Sequence, residues 1–194
     1  MPVFLFKTSD EYFEFYSKIA GITIEDAKRS KGHSWRDYYA TWYDAPGDPV
    51  HIHEATHQIF SNRLGLGGGG SWFQEGVAEY MSTKPGDRSA AAGQVKRGKH
   101  VPLAQFITIP SLLMSADKDA PGGDKGQENY EEAAVLIEFL RESKWAKERF
   151  PAFLTRIGHI ARDDPAEIES AIQDVYGVDL AGLEQRWTEY CKKR

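Results

Sequence analysis

The sequence predicts an α+β fold, in which a small antiparallel sheet with nearby helices is followed by a helical C-terminal lobe. Aromatic and β-branched stretches that favour strands occur near the start of the chain, over 3–6 and 35–43. From residue 127 to residue 194, by contrast, helical periodicity and helix caps dominate. The 194 residues suit one domain, with an α+β part over 1–83, an irregular region over 84–126 and the helical lobe over 127–194.

Start and stop signals place the elements of the first part. Residues 3–6 predict a short buried strand. Thr8 and Glu11 form a capping box that opens a helix, and Gly21 ends it. The aromatic stretch 35–43 predicts either a strand pair or one strand that ends in a turn.

Two capped helices follow these strands. Asp48 before Pro49 predicts a helix that runs to about residue 64. Ser71 and Gln74 form a second capping box, which opens a helix to about residue 82. The glycine run 65–70 matches G-x-G-x-x-G, but it follows a helix and not a strand, so it predicts a flexible connector and not a nucleotide-binding loop.

The second half of the chain is predicted to be irregular first and then helical. The basic tract 96–100 predicts a solvated loop within the irregular region. Helices are predicted over 129–143, after Pro151, over 165–176 and over 180–192.

Composition and charge exclude several function classes. The formal net charge of −5 argues against a nucleic-acid-binding surface, and no apolar run approaches the roughly 18 residues of a membrane span. Cys191 is the single cysteine, which rules out an internal disulfide and a multi-cysteine metal site. The first residues predict no signal peptide, which is compatible with the mature part of an exported bacterial protein and leaves the compartment open.

Residues 53–57 match H-E-x-x-H. On a helix, His53 and His57 are offset by only about 40°, so both imidazoles can reach one zinc ion. Glu54 lies about 100° further round, where a general base beside the open coordination position belongs. The predicted apolar stripe of this helix comprises Ile52, Ala55, Ile59 and Phe60, with both histidines at its edge.

A candidate third ligand stands on the next helix. Glu75 follows His57 with 17 residues between them (58–74), and two histidines plus one glutamate are an established catalytic zinc set. Glu79, one turn further on the same face, suits a hydrogen bond to a ligand histidine. The other histidines are weaker candidates: His51 is predicted to project away from the site, and His33, His100 and His159 to lie in loops or on helix surfaces.

The H-E-x-x-H motif and the segment F-Q-E-G-V-A-E-Y over 73–80 resemble the gluzincin metallopeptidases, in particular the peptidase-MA-like proteins and the catalytic core of the M1-type aminopeptidases. The resemblance implies a thermolysin-like catalytic domain with one Zn²⁺ bound by His53, His57 and Glu75, and with Glu54 as the base. The aminopeptidase motif G-x-M-x-N is absent from residues 22–50, so aminopeptidase specificity is not supported. The stretch 35–43 is expected to be the edge strand along which a peptide adds.

Tyr130 is the candidate for stabilising the transition state. The segment after it resembles the Y-E-K-G segment that carries the catalytic tyrosine in M1-type enzymes, with alanine here in place of glycine. A packing role for Tyr130 stays open, and Tyr39, Tyr43 and Tyr80 are rival donors.

The sequence therefore predicts zinc-dependent hydrolysis of a peptide bond, with a peptide or protein as substrate. Two alternatives stay open: a catalytically silent peptide-binding domain on the same scaffold, and a zinc hydrolase of a non-peptide amide. The sequence does not decide between endopeptidase and exopeptidase action.

Overall fold

The computed structural model describes residues 2–35, 38–42, 48–112, 126–160 and 164–194. The chain divides into two compact units, Met1–Leu64, which contains every described strand, and Gly65–Arg194, which is helical in its described elements. The mixed α+β content with a small sheet is as predicted. A single domain over 1–194 stays a prediction.

The sheet of the first unit has three described strands: β1 (Val3–Phe6), β2 (Gly32–Trp35) and β3 (Tyr38–Trp42). Their order is β1-β3-β2, with β3 antiparallel to β2 and parallel to β1. The prediction of an antiparallel sheet is therefore wrong for β1 and β3. The strand that the chain reaches after β1 is β2, which runs opposite to β1, and the chain reverses direction again before β3, so that β3 runs parallel to β1.

Strand positions differ from the prediction in two further ways. Among the described strands β3 lies in the middle, so the prediction of an edge strand over 35–43 is wrong for residues 38–42, and Tyr43 lies outside the described residues. The prediction that residues 3–6 are buried is also wrong, because Val3 and Leu5 are 56% and 57% exposed. The rings of Phe4 and Phe6 contact Phe15, although Phe4 is itself 45% exposed.

Helix α1 (Ser9–Ala20) covers one face of the sheet. Its capping box between Thr8 and Glu11 and its end at Gly21, which has φ 67°, are both confirmed. A short helix, α2 (Ile24–Ala27), follows it. The α1 face of the sheet is aromatic, with Tyr12 against Trp42 and Tyr16 stacked on His33.

Helix α3 (Pro49–Gln58) packs on β2 and β3, with Asp48 as its N-cap as predicted. The prediction that this helix runs to residue 64 needs correction, because a π-helical segment (Ile59–Arg63) replaces its last turns. The predicted apolar stripe is also wrong. Ile52 and Ile59 are each 50% exposed, whereas Thr56 and Gln58 are buried. Polar side chains can face the sheet because they find backbone partners there, as when the Nε2 of Gln58 donates to the carbonyl of Tyr38 at 3.0 Å.

The second unit begins with the glycine run and α4 (Gly70–Ser82). The capping box predicted from Ser71 and Gln74 is wrong: Gly69 is the N-cap, and the Gln74 amide donates instead to the carbonyls of Leu66 and Gly68. Part of the run is closely packed within this unit, and its flexibility as a connector stays a prediction. The N–H of Gly68 donates to a carbonyl of the 150–158 helix, at Gly158, and a Cβ on Gly68 would lie 2.0 Å from the carbonyl oxygen of Ile160.

Helices α5 (Ser89–Lys96) and α6 (Leu103–Phe106) occupy part of the region predicted to be irregular, which needs correction. Lys96, in the basic tract, ends α5. Helix α7 (Gly126–Glu142) packs along α4, and the backbone of Ala133 is so close to Gly76 that a Cβ there would lie 3.0 Å from its carbonyl oxygen.

The predicted helical lobe is confirmed for the remaining described residues. It contains α8 (Phe150–Gly158), α9 (Pro165–Tyr176) and α10 (Leu180–Lys193), and Gly177 ends α9 as expected. A buried charge network joins Arg88 to Glu138, which Arg194 also contacts at 2.8 Å. No helix in the described ranges is both long and apolar enough to cross a bilayer.

Candidate metal centre

The two histidines of the H-E-x-x-H motif face each other on successive turns of α3. The Nε2 atoms of His53 and His57 lie 3.2 Å apart, and the rings are inclined at 74°. Two nitrogens that each lie 2.0–2.1 Å from a tetrahedral zinc are about 3.3 Å apart. The pair therefore has the spacing that a shared zinc ion requires, and both side chains are half-buried.

Glu54, between the two histidines in sequence, is anchored on the sheet. The hydroxyl of Ser34 on β2 lies 2.6 Å from Oε2 of Glu54 and 3.1 Å from its backbone carbonyl oxygen. Sequence reasoning missed Ser34. The sequence places Ser34 on the same strand face as Gly32. This placement points to Glu54 only once it is known that α3 packs on that face.

The charge of Glu54 acts on two tyrosines of the first unit, the buried Tyr39 and the half-buried Tyr16. Burial raises the pKa of Tyr39 to about 12, and the negative charge of Glu54 adds to this effect. Burial likewise raises the pKa of Tyr16, with a smaller contribution from Glu54. Both phenols therefore stay protonated at neutral pH and leave Glu54 as the candidate base. Tyr39 is buried, and its hydroxyl lies 2.9 Å from Nδ1 of His51, so it is a poor donor to a substrate.

Glu75 completes a candidate donor set. Among the described residues, the group of side chains that could hold a metal ion is His53, His57 and Glu75. These are the three ligands predicted from the sequence. Two imidazoles and one carboxylate fit a catalytic zinc, which takes three protein ligands and keeps one position open.

The structure gives positions for Glu79 and Tyr130 but does not test their predicted roles. Glu79 lies one turn beyond Glu75 on α4 and is half-buried, and its charge contributes to a raised pKa at Glu131, for which burial is the larger cause. Its hydrogen bond to a ligand histidine stays a prediction. Tyr130 is half-buried in the second turn of α7, because that helix begins earlier than expected, at Gly126. Its catalytic role also stays a prediction.

His33 contradicts the expectation of a loop or surface position, whereas His100 lies in the loop between α5 and α6, as expected. His33 lies on β2 and is 8% exposed; burial lowers its pKa to about 4. Its ring nitrogens lie 3.1 Å and 3.3 Å from the hydroxyls of Tyr12 and Tyr38. The His100 side chain is also largely buried, with Nε2 2.9 Å from Glu184. His159 is exposed, as expected.

Comparison with known proteins identifies no relative. No protein-family model, no curated protein and no solved structure matches the chain.

Proposed function

We propose that this protein is a zinc-dependent metallopeptidase of the gluzincin type. The observation that carries the proposal is the geometry of α3, in which two imidazole nitrogens stand 3.2 Å apart with a carboxylate held on the residue between them. The donor set with Glu75 supports the choice of zinc, since its three ligands leave one coordination position for chemistry.

The chain's own residues supply the other parts of the reaction. When bound, zinc polarises the scissile carbonyl and lowers the pKa of water. Glu54 accepts a proton from the attacking water and later donates it to the leaving amine, so that H and OH add across the broken C–N bond. Glu79 orients a ligand histidine, and Tyr130 donates a hydrogen bond to the developing oxyanion.

A peptide or protein is the proposed substrate. Hydrolysis of a diverse peptide library tests this, with the protein as purified, after chelation and after zinc is restored. We expect cleavage that chelator abolishes and zinc restores. Peptide binding without cleavage by the zinc-loaded protein would favour a silent binding domain, and cleavage of simple amides but no peptides would favour a non-peptide amidase.

A further inference from the structure

The contact between Ser34 and Glu54 assigns a role to a residue outside the metal motif. We propose that Ser34 is a positioning residue, whose hydroxyl holds the Glu54 carboxylate in the orientation needed for proton transfer. This inference rests on the proposed function, since it concerns the general base of the same site.

The geometry of the contact is that of a strong hydrogen bond. At 2.6 Å, the Oγ of Ser34 lies within the short range that hydroxyl donors reach with carboxylates. The same Oγ lies 3.1 Å from the backbone carbonyl oxygen of Glu54. The hydroxyl has one hydrogen, which the shorter distance assigns to the carboxylate, and its oxygen also lies beside the backbone carbonyl of the same residue.

The backbone of α3 alone does not fix the orientation of the Glu54 carboxylate. The imidazoles of His53 and His57 are rigid rings, whereas the Glu54 side chain has three rotatable bonds and samples several rotamers unless something holds it. Proton transfer needs the carboxylate within about 0.5 Å of its productive position. Ser34 can restrain the Glu54 carboxylate from β2, because its side chain lies on the sheet face against which α3 packs.

Ser34 is one of several described side chains that tie α3 to the sheet. Two other side-chain hydrogen bonds already tie α3 to β3: Gln58 donates to the carbonyl of Tyr38, and the Tyr39 hydroxyl pairs with His51. The Ser34 hydroxyl differs from these contacts because it reaches the carboxylate of the candidate base.

Two substitutions of equal shape isolate the hydroxyl. Ser34→Thr keeps the hydroxyl, whereas Ser34→Val replaces it with a methyl group, and both residues suit a strand. We expect Ser34→Val to lower kcat about 10- to 100-fold with little change in KM, and Ser34→Thr to stay near the wild-type rate. Ser17→Ala is the matched control, because it removes a 2.6 Å bond to the carbonyl of Ile22 and should leave kcat unchanged. Equal kcat values for the Val and Thr variants would overturn the proposal.

A second measurement does not depend on activity. Urea unfolding of the zinc-free protein is compared for the wild type, Ser34→Ala, Glu54→Ala and the double variant. We expect the midpoint shifts of the single variants to be non-additive, because each removes the same bond. Additive shifts would overturn the contact itself. If the wild type cleaves no substrate while the shifts remain non-additive, the proposed function fails but the contact stands. If the wild type is active and Ser34→Val is equally active, the positioning role alone fails.

Discussion

The Nε2 of His57 lies 3.2 Å from the Nε2 of His53, one turn away on the same helix. A hydrogen bond between them requires the tautomer in which one of these nitrogens is protonated, whereas zinc binding requires both to donate their lone pairs to the ion. The 3.2 Å separation is close to the spacing of two nitrogens that share a tetrahedral zinc ion.

The first prediction concerns zinc content. We expect about one zinc per chain, with large losses in His53→Ala, His57→Ala and Glu75→Ala, measured by metal analysis after dialysis. His51→Ala is the control on the same helix, because its ring pairs with Tyr39, and it should keep the metal. Acidification should release zinc, since protons compete for the imidazole nitrogens. Unchanged zinc in Glu75→Ala would show that the third ligand is wrong.

The second prediction concerns Tyr130. Loss of an oxyanion donor lowers kcat about 10²- to 10³-fold. We therefore expect the kcat of Tyr130→Phe to fall by that factor, with little change in zinc content or KM. Tyr80→Phe is the control, because the Tyr80 hydroxyl donates to Glu142 at 2.5 Å. Steady-state kinetics that show a Tyr130→Phe variant as fast as the wild type would remove Tyr130 from the mechanism.

The sequence predicted best those features that depend on neighbouring residues. The capping box at Thr8, the helix start at Asp48 and the helix end at Gly177 each involve contacts within a few residues, and all are confirmed. The H-E-x-x-H spacing is equally local, so the facing imidazoles followed from it directly.

The features that the sequence did not predict depend on distant partners. The parallel pairing of β1 with β3 joins residues more than thirty positions apart, such as Val3 and Tyr39. Gln74 has the residue type of a capping box, yet its side-chain amide donates hydrogen bonds to backbone carbonyls of the glycine run instead. The contact between Ser34 and Glu54 likewise needs β2 and α3 to pack together, which no local pattern encodes.

The third prediction is a pH dependence of stability. Burial lowers the pKa of His33 to about 4, below its value in an unfolded chain. Between these two values the unfolded state binds more protons, so the free energy of unfolding falls as the pH drops from about 6.5 to 4, by at most about 3 kcal/mol from this residue. Urea unfolding of His33→Gln at both ends of this range should show a smaller loss than the wild type. An identical loss of stability in the two proteins would contradict the conclusion that protonation of His33 destabilises the folded state at low pH.

The fourth prediction concerns the buried charges of the second unit. Glu138 is almost fully buried and contacts both Arg88 and Arg194, so Glu138→Gln leaves two guanidinium groups without their counter-charge. We expect a cost of about 3–5 kcal/mol in the free energy of unfolding.

The control for this change is Glu167→Gln, which breaks an exposed pair with Arg156 and should cost less than about 1 kcal/mol. Chemical denaturation measures both variants. Equal costs would mean that the Glu138 network does not stabilise the unit.

The most direct test of the central claim is the kcat of Glu54→Gln at a zinc content matched to the wild type. The amide keeps the size of the side chain and can still accept a hydrogen bond from Ser34, but it cannot take a proton from water. We predict that the variant binds zinc as the wild type does and loses about 10²- to 10⁴-fold in peptide hydrolysis. Undiminished hydrolysis by the zinc-loaded variant would contradict the assignment of Glu54 as the general base and, with it, the proposed mechanism.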